Sequence, residues 1–399
     1  MRVRSLYLLF MYSCFLTQAL SAHAGTPSSA NGIGTIVTDD FAASRGAGGA
    51  GVANVSAGNM LRTNPALLGA YTRPSYGLGL SYDTSTTYLG LSEQPEYAKT
   101  MPSLLKFVLP VTRGLVVGWG LSPYSRTDVV IDIAEEPGAE YNDILDTSGG
   151  ISMSSIAAGW KYKERLYLGI SLDYHFGAIE ERWKRYFPAE TSFTSTIQNL
   201  RKKYKGYGVA FGTVVKVHSS THIGIAYKKQ ANLDMDAVVH SDIPSDPEIP
   251  AYTDDLVLPS SLRIGVWSQL GRRLSMGVDY SYEAWEDAAE TPKQKEMYTN
   301  AYRIGGGLRF IPSVSRNAGF LKRIPILVGV RHASQYYKSY PVIDTINETA
   351  VTCGFEIPLI RNSGTLVTTF DYGKRGDKDN NGWDETFMNV GLTLVGQIK

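Results

Sequence analysis

Residues 273–284 read RLSMGVDYSYEA, and their alternation decides the fold. Leu274, Met276, Val278, Tyr280 and Tyr282 are apolar, while Ser275, Gly277, Asp279, Ser281 and Glu283 between them are small, polar or charged. A period of two puts the first set on one face of a strand and the second on the other. The pattern recurs at 165–176, where Leu166, Leu168, Ile170, Leu172, Tyr174 and Phe176 alternate with Tyr167, Gly169, Ser171, Asp173 and His175. It returns at 302–310 and in the last strand, where Met388, Val390, Leu392 and Leu394 oppose Asn389, Gly391 and Thr393.

A soluble sandwich alternates too, but two features oppose it. The second face is rich in Gly and small polar residues with scattered charges, as in a barrel lumen. Aromatic residues gather near strand ends, as at Trp160/Tyr162 and Tyr280/Tyr282, in the manner of interfacial girdles. Lipid admits only backbones whose polar groups are all paired, and a closed barrel meets that condition without helices. Arg or Lys on the lipid face at mid-bilayer costs about 2–4 kcal/mol, and in the clearest strands the charges keep to the other face.

Composition agrees. The 399 residues contain 40 Gly and 25 Tyr, carry a net charge of +1, and show no polybasic patch that would mark a nucleic-acid binder. Residues 1–24, with Arg2 and Arg4 ahead of an apolar run and Ala22-His23-Ala24 at its end, read as a secretory signal peptide. Cys14 lies inside that run, so only Cys353 is left in the mature chain, which excludes a disulfide framework and a cysteine metal site.

Strands are expected near 75–82, 101–109, 114–122, 151–162, 165–184, 205–217, 221–239, 257–268, 273–284, 298–311, 325–333, 347–358, 364–373 and 385–398. That is about fourteen, an even number, over residues 74–399. The links alternate between short (110–113, 163–164, 218–220, 269–272, 359–363) and long (123–150, 185–204, 240–256, 285–297, 374–384). Short turns face the periplasm and long loops the outside, which puts both termini on the periplasmic side. The 312–324 link is longer than this rule allows, and 86–91 is open to a strand or a loop. The expected fold class is all-β: a transmembrane, antiparallel, up-and-down β-barrel in the bacterial outer membrane with an N-terminal hatch.

The hatch is expected in residues 25–73. Gly46-Ala47-Gly48-Gly49-Ala50-Gly51 fits the dinucleotide fingerprint, but no strand precedes it and no acidic residue occurs from 41 to 82. Small residues there serve close packing or tight turns. A bore this wide is not filled by its own wall, and a Gly/Ala-rich stretch can thread it. Met60-Leu61 and Leu67-Leu68 supply apolar contacts, and Asn64-Pro65 starts a turn.

The stretch GVANVSAGNMLRTNPALLGA resembles the N-terminal region of the FadL/TodX-like transporters of hydrophobic compounds, through Asn64, Pro65 and Ala66 in an Asn-Pro-Ala motif. MGVDYSYEAWED, AYRIGGGLRFIP, FDYGKRGDKDNNG and the final strand are similar to the same family. The resemblance implies an N-terminal hatch inside the barrel, a hydrophobic ligand such as a long-chain fatty acid entering from outside, and an exit through a gap in the wall. Partners are then hydrophobic small molecules, outer-membrane lipid and the barrel assembly machinery, with no nucleic acid and no cofactor. A PorV-like scaffold or shuttle for secreted proteins is the alternative. The chain departs from the usual barrel ending, an aromatic residue, by closing on Gln397-Ile398-Lys399.

Other motifs are weaker. Asp377-Lys378-Asp379-Asn380-Asn381-Gly382 begins like a calcium loop, but position twelve is Met388 where Glu is needed. Ser171, Asp173 and His175 share a strand face, yet strand neighbours two apart are about 7 Å distant, too far for a hydrogen-bonded relay. His175, His222 and His332 lack metal-ligand spacing and read as lumen or rim residues. Arg126, Arg182, Arg201, Lys202 and Lys203 are carboxylate-binding candidates by charge and location alone, with a solvated loop face as the plainer account. No enzyme and no metal site is expected.

Overall fold

A computed structural model describes residues 29, 32–37, 41–55, 62–89, 92–93, 97–133, 141–187, 194–241, 249–315, 317–339, 343–359 and 364–398. The expected signal peptide at 1–24 and the expected contacts of Met60 and Leu61 lie outside them. In chain order, β1 (Thr35–Ile36) leads to α1 (Ala42–Gly46) and a 3-10 turn at Pro65–Ala70. Then come β2 (Ser75–Leu89), β3 (Ser92–Glu93), β4 (Tyr97–Thr112), β5 (Leu115–Pro123), β6 (Ser125–Ile133), β7 (Asn142–Tyr162), β8 (Leu166–Tyr186) and β9 (Thr196–His218). Next are β10 (Thr221–Lys228), β11 (Ala231–Ser241), β12 (Ile249–Leu258), β13 (Ser261–Leu270), β14 (Leu274–Glu283) and α2 (Pro292–Met297). The chain ends through β15 (Ala301–Phe310), a 3-10 turn at Phe320–Arg323, β16 (Ile326–Lys338), β17 (Thr345–Pro358), β18 (Gly364–Asp377), α3 (Lys378–Asn381) and β19 (Trp383–Gln397).

Together these form a closed antiparallel barrel of 14 wall strands. Three walls are bent and count as two strands each: β5/β6, β10/β11 and β12/β13. The first bend follows Pro123 and the last sits at Pro259, residues that cannot donate to a ladder. Closure is made by β19 on β2, paired without a slip from Trp383↔Leu89 to Gln397↔Ser75.

The alternation of 273–284 orients the wall. Val278 is 48% exposed and its neighbour Asp279 only 9%; Ile170 is 47% exposed and Asp173 only 3%. The oily row therefore faces out and the polar row faces in, the reverse of a soluble sandwich. On β8 the outward residues Leu168 to Phe176 span about 26 Å along the strand, the order of a bilayer's apolar band. Aromatic pairs sit at the margins of that band: Trp160 with Tyr162 at 5.4 Å and Tyr174 with Tyr207 at 4.9 Å between ring centroids.

The strands run further toward the long-loop end than the sequence pattern predicts. β7, β8 and β9 are 21, 21 and 23 residues long, about twice the 9–11 that a crossing requires. β8 matches the expected 165–184 strand, whereas β7 and β9 extend into the expected loops 123–150 and 185–204, because beyond the bilayer both faces carry charges and the alternation is lost. Likewise most of β12 falls in the expected 240–256 loop, its last two residues in the expected strand, and β2 continues through the open stretch to Leu89.

One part of the wall is unlike the rest. β4 pairs with β5 from Leu105↔Leu121 to Thr112↔Leu115. Past the bend, β6 stays on β7 but leaves β4, and its other edge takes β1, with Thr35 opposite Arg126 and Ile36 opposite Ser125. Among the described residues no ladder joins β4 to β6. Side chains cross the seam instead: Lys99 pairs with Asp128, and Arg126 reaches Asp83 at 2.9 Å.

Candidate functional site

Residues 41–55 and 62–71 touch the inward face of the wall on many sides. α1 is short, followed by Gly48 and Gly49 with φ of +68° and +86°, a turn only glycine makes without strain. The Thr352 hydroxyl donates to the Gly46 carbonyl and accepts from the Gly48 amide, both at 3.0 Å. The Gly49 amide donates to the Ser44 carbonyl at 2.8 Å. The Gly51 and Val52 amides both donate to one Asp279 oxygen, at 2.6 and 2.7 Å. The four glycines named from sequence thus lie at backbone contacts, and around Gly48 the wall itself is glycine, at Gly305 and Gly329. A Cβ on Gly305 would come within 1.9 Å of the Gly48 carbonyl oxygen.

The Asn-Pro-Ala motif is fully buried. Asn64 caps the 3-10 turn by accepting from the Ala66 amide at 3.0 Å, and Pro65 holds the first position, where a missing N–H costs nothing. The Asn64 amide nitrogen donates to the carbonyls of Val52, Thr213 and Ile225 at 3.0, 3.2 and 3.5 Å. One side chain thereby joins two parts of the N-terminal segment to β9 and β10. Gly212 faces it, and a Cβ there would meet the Asn64 oxygen at 2.0 Å.

Two contacts of this segment were invisible in the sequence. Arg45 lies 3.7 Å from Asp371 and also bonds Asn389. Asp371 takes Arg331 at 2.9 Å, Arg331 meets Glu348 at 3.1 Å, and Arg375 joins Glu348 at 2.7 Å and Glu385 at 3.1 Å. Three guanidiniums and three carboxylates are balanced in charge, which is what a buried ion network requires. The partners come from α1 and four wall strands, so no local motif announces them. The other is Asp279, which the alternation marks only as an inward polar residue.

These ions line a cavity of about 210 Å³ that reaches the seam at Tyr97, Arg126 and Asp128. Its lining is mixed: Ile36, Val37, Met101 and Phe387 stand beside the ions, so charge and oil share the space where the resemblance implied a hydrophobic ligand. The largest described apolar cluster in the bore is filled by the protein itself. Trp285, from the loop after β14, is fully buried and stacks on Tyr336 at 4.1 Å, with Tyr298 edge-on at 5.6 Å. The Ile33 amide donates to the Tyr336 hydroxyl at 2.9 Å, and that hydroxyl donates to the Gly34 carbonyl at 3.1 Å. The long loop after β14 and the N-terminal segment therefore meet inside the barrel.

Of the charged candidates, only Arg126 lines this cavity. Arg182 and Arg201 pair with Glu180, Lys202 pairs with Glu181, and Lys203 is exposed, all on the strand extensions. Ser171, Asp173 and His175 all point inward and are buried, but Asp173 meets Lys228 at 3.5 Å and His175 packs edge-on to Tyr124. His332 is on the outward row, where Tyr302 and Thr349 contact it near the girdle. The calcium-like run forms α3, capped by Asp377, with Gly382 left-handed at φ 76° and Met388 on the lipid-facing row. Among the described residues no group of His, Cys, Asp and Glu is arranged to hold a metal.

A family model described as BamG matches residues 3–396. No curated protein matches. Among solved structures, a FadL homologue from Pseudomonas aeruginosa is 13% identical with a TM-score of 0.63, covering 92% of this chain and all of that one. The toluene transporter TodX of Pseudomonas putida is 14% identical at TM-score 0.62, over 90% of this chain and 98% of its own. The toluene transporter TbuX of Ralstonia pickettii is 16% identical at TM-score 0.52, over the same shares. At these identities the likeness is one of fold.

Proposed function

The chain belongs to the BamG family, and on that premise we propose that it is an outer-membrane barrel that works with the barrel assembly machinery as a sealed, protein-facing component. The observation that carries this reading is the filled interior. Ile33, Trp285 and Tyr336 occupy the apolar part of the bore, and the cavity beside them is lined by paired ions together with Ile36, Met101 and Phe387. An apolar passenger would have to displace buried aromatics or pass desolvated charges, both unfavourable. In this reading residues 41–55 and 62–71 belong to a fixed plug, with Asn64, Pro65 and Ala66 as its anchor and the glycines of 46–51 as its points of closest approach. Short turns and both termini face the periplasm. Affinity purification of the full chain from its own membranes in mild detergent should bring the assembly machinery with it. Recovery of the chain alone would overturn the proposal.

A second reading has its own observation. The fold is shared with transporters of hydrophobic compounds, and the β4/β6 seam interrupts the wall where a ladder would block lateral exit. Here the plug is a gated hatch, and the cargo is a hydrophobic molecule, fatty-acid-like by default. Cross-linking position 99 to position 128 would then abolish uptake of alkyl or aromatic compounds. Under the first reading it leaves uptake unchanged.

A further inference from the structure

The short-turn end of the barrel carries almost only positive charge. The turn after β7 holds Lys163 and Arg165, the turn after β13 holds Arg272 and Arg273, and the link before β16 holds Lys322 and Arg323, all exposed. Arg113 and Arg73 add exposed cations in the turn after β4 and before β2. The single carboxylate among these residues, Glu164, is already held by Lys161 at 2.7 Å. The opposite end differs: the loop from 284 to 300 places Glu286, Asp287, Glu290 and Glu296 against two lysines. A net charge of +1 for the whole chain conceals this polarity, and so does the sequence, since no two cationic turns are adjacent in the chain.

The cations are spread around the circumference, so a partner that surrounds the barrel meets more of them than one docking at a point. The long link before β16 adds a second feature. Its 3-10 turn exposes Phe320 at 49% and Leu321 at 78% directly beside Lys322 and Arg323. Oily and basic side chains side by side, at the end of the lipid-facing rows of β15 and β16, suit an interface of acyl chain and phosphate. We propose that this rim is a collar that binds the phosphate headgroups of anionic phospholipid in the leaflet it faces. Given the periplasmic orientation of the short turns stated above, that leaflet is the inner one of the outer membrane.

The test is native mass spectrometry of the full chain released from mixed micelles of phosphatidylglycerol and phosphatidylcholine. Wild type should retain phosphatidylglycerol in preference. The Arg272→Gln/Arg273→Gln/Lys322→Gln/Arg323→Gln variant should lose that preference by about fivefold or more, while Lys293→Gln/Lys295→Gln at the other end leaves it intact. Equal retention of the two lipids, or a preference that the collar variant does not move, overturns the proposal. Orientation is read separately, by labelling a Ser219→Cys variant in a Cys353→Ser background with an impermeant maleimide on intact cells. Labelling without permeabilisation overturns the inner-leaflet placement and the periplasmic orientation whatever the lipid result, while the lipid measurement leaves the assembly-machinery reading untouched.

Discussion

Asn64 uses both ends of one amide, accepting from Ala66 and donating toward three carbonyls on two strands and its own segment. Asn64→Ala leaves buried carbonyls without their donor, at about 1–3 kcal/mol. Asn64→Asp should be worse, because it turns a carboxylate oxygen toward those same acceptors. Guanidinium unfolding in detergent would give both values, and a rank order of Ala below Asp in stability would refute the assigned donor role. Tyr298 gives a second check, since it lies in the loop outside the wall and burial pushes its hydroxyl up to about 12. The unfolded chain ionises near pH 10 while the folded one stays neutral, so this contribution is whole below pH 10 and is lost as pH rises toward 12, by up to ~3 kcal/mol. Over that window wild type should therefore lose more stability than Tyr298→Phe in matched thermal melts.

At the scale of elements, the wall was legible and its ends were not. Val278/Asp279 and Ile170/Asp173 sort oil from polarity because one face meets lipid, and that contrast ceases where a strand leaves the bilayer. Thr196–Leu200 on β9 and Asn142–Asp146 on β7 are ladder residues with no such contrast to reveal them. The turn at 64–66 was legible through Asn64 and Pro65, whose chemistry starts and caps it. The Arg45–Asp371 and Gly51–Asp279 contacts were not, because their partners are hundreds of residues apart and meet only when the ring closes. The β1–β6 pairing belongs to this hidden class and can be trapped. Ile36 and Ser125 are direct ladder partners, and opposed Cα atoms lie about 4.5–5.5 Å apart, within the reach of a disulfide. An Ile36→Cys/Ser125→Cys chain in a Cys353→Ser background should oxidise to a reducible cross-link visible as a gel shift. Failure to form one would remove β1 from that edge.

For the molecule as a whole, the outward oily belt is the property on which membrane insertion rests. Ile170 stands mid-row on β8 between Leu168 and Leu172, all three exposed. Ile170→Arg should cost about 2–4 kcal/mol and reduce the folded, heat-modifiable fraction in the membrane. Exchange of Lys184→Arg on the extension of the same strand should have no such effect. Equal behaviour of the two would mean that the belt does not contact hydrocarbon.

The bend after Pro123 also has a mechanical side. A tube whose hoops are all closed resists twisting, and the same tube slit along part of its length does not. Here the half nearer the short turns is an unbroken hoop, while the other half is slit between β4 and β6 and held there by β1 and two ion pairs. Torque from a neighbour or from the bilayer will therefore concentrate its deformation on that one line. The leader segment, sewn to one lip of the slit and knotted deep in the bore through Asn64, is the tendon that will feel it.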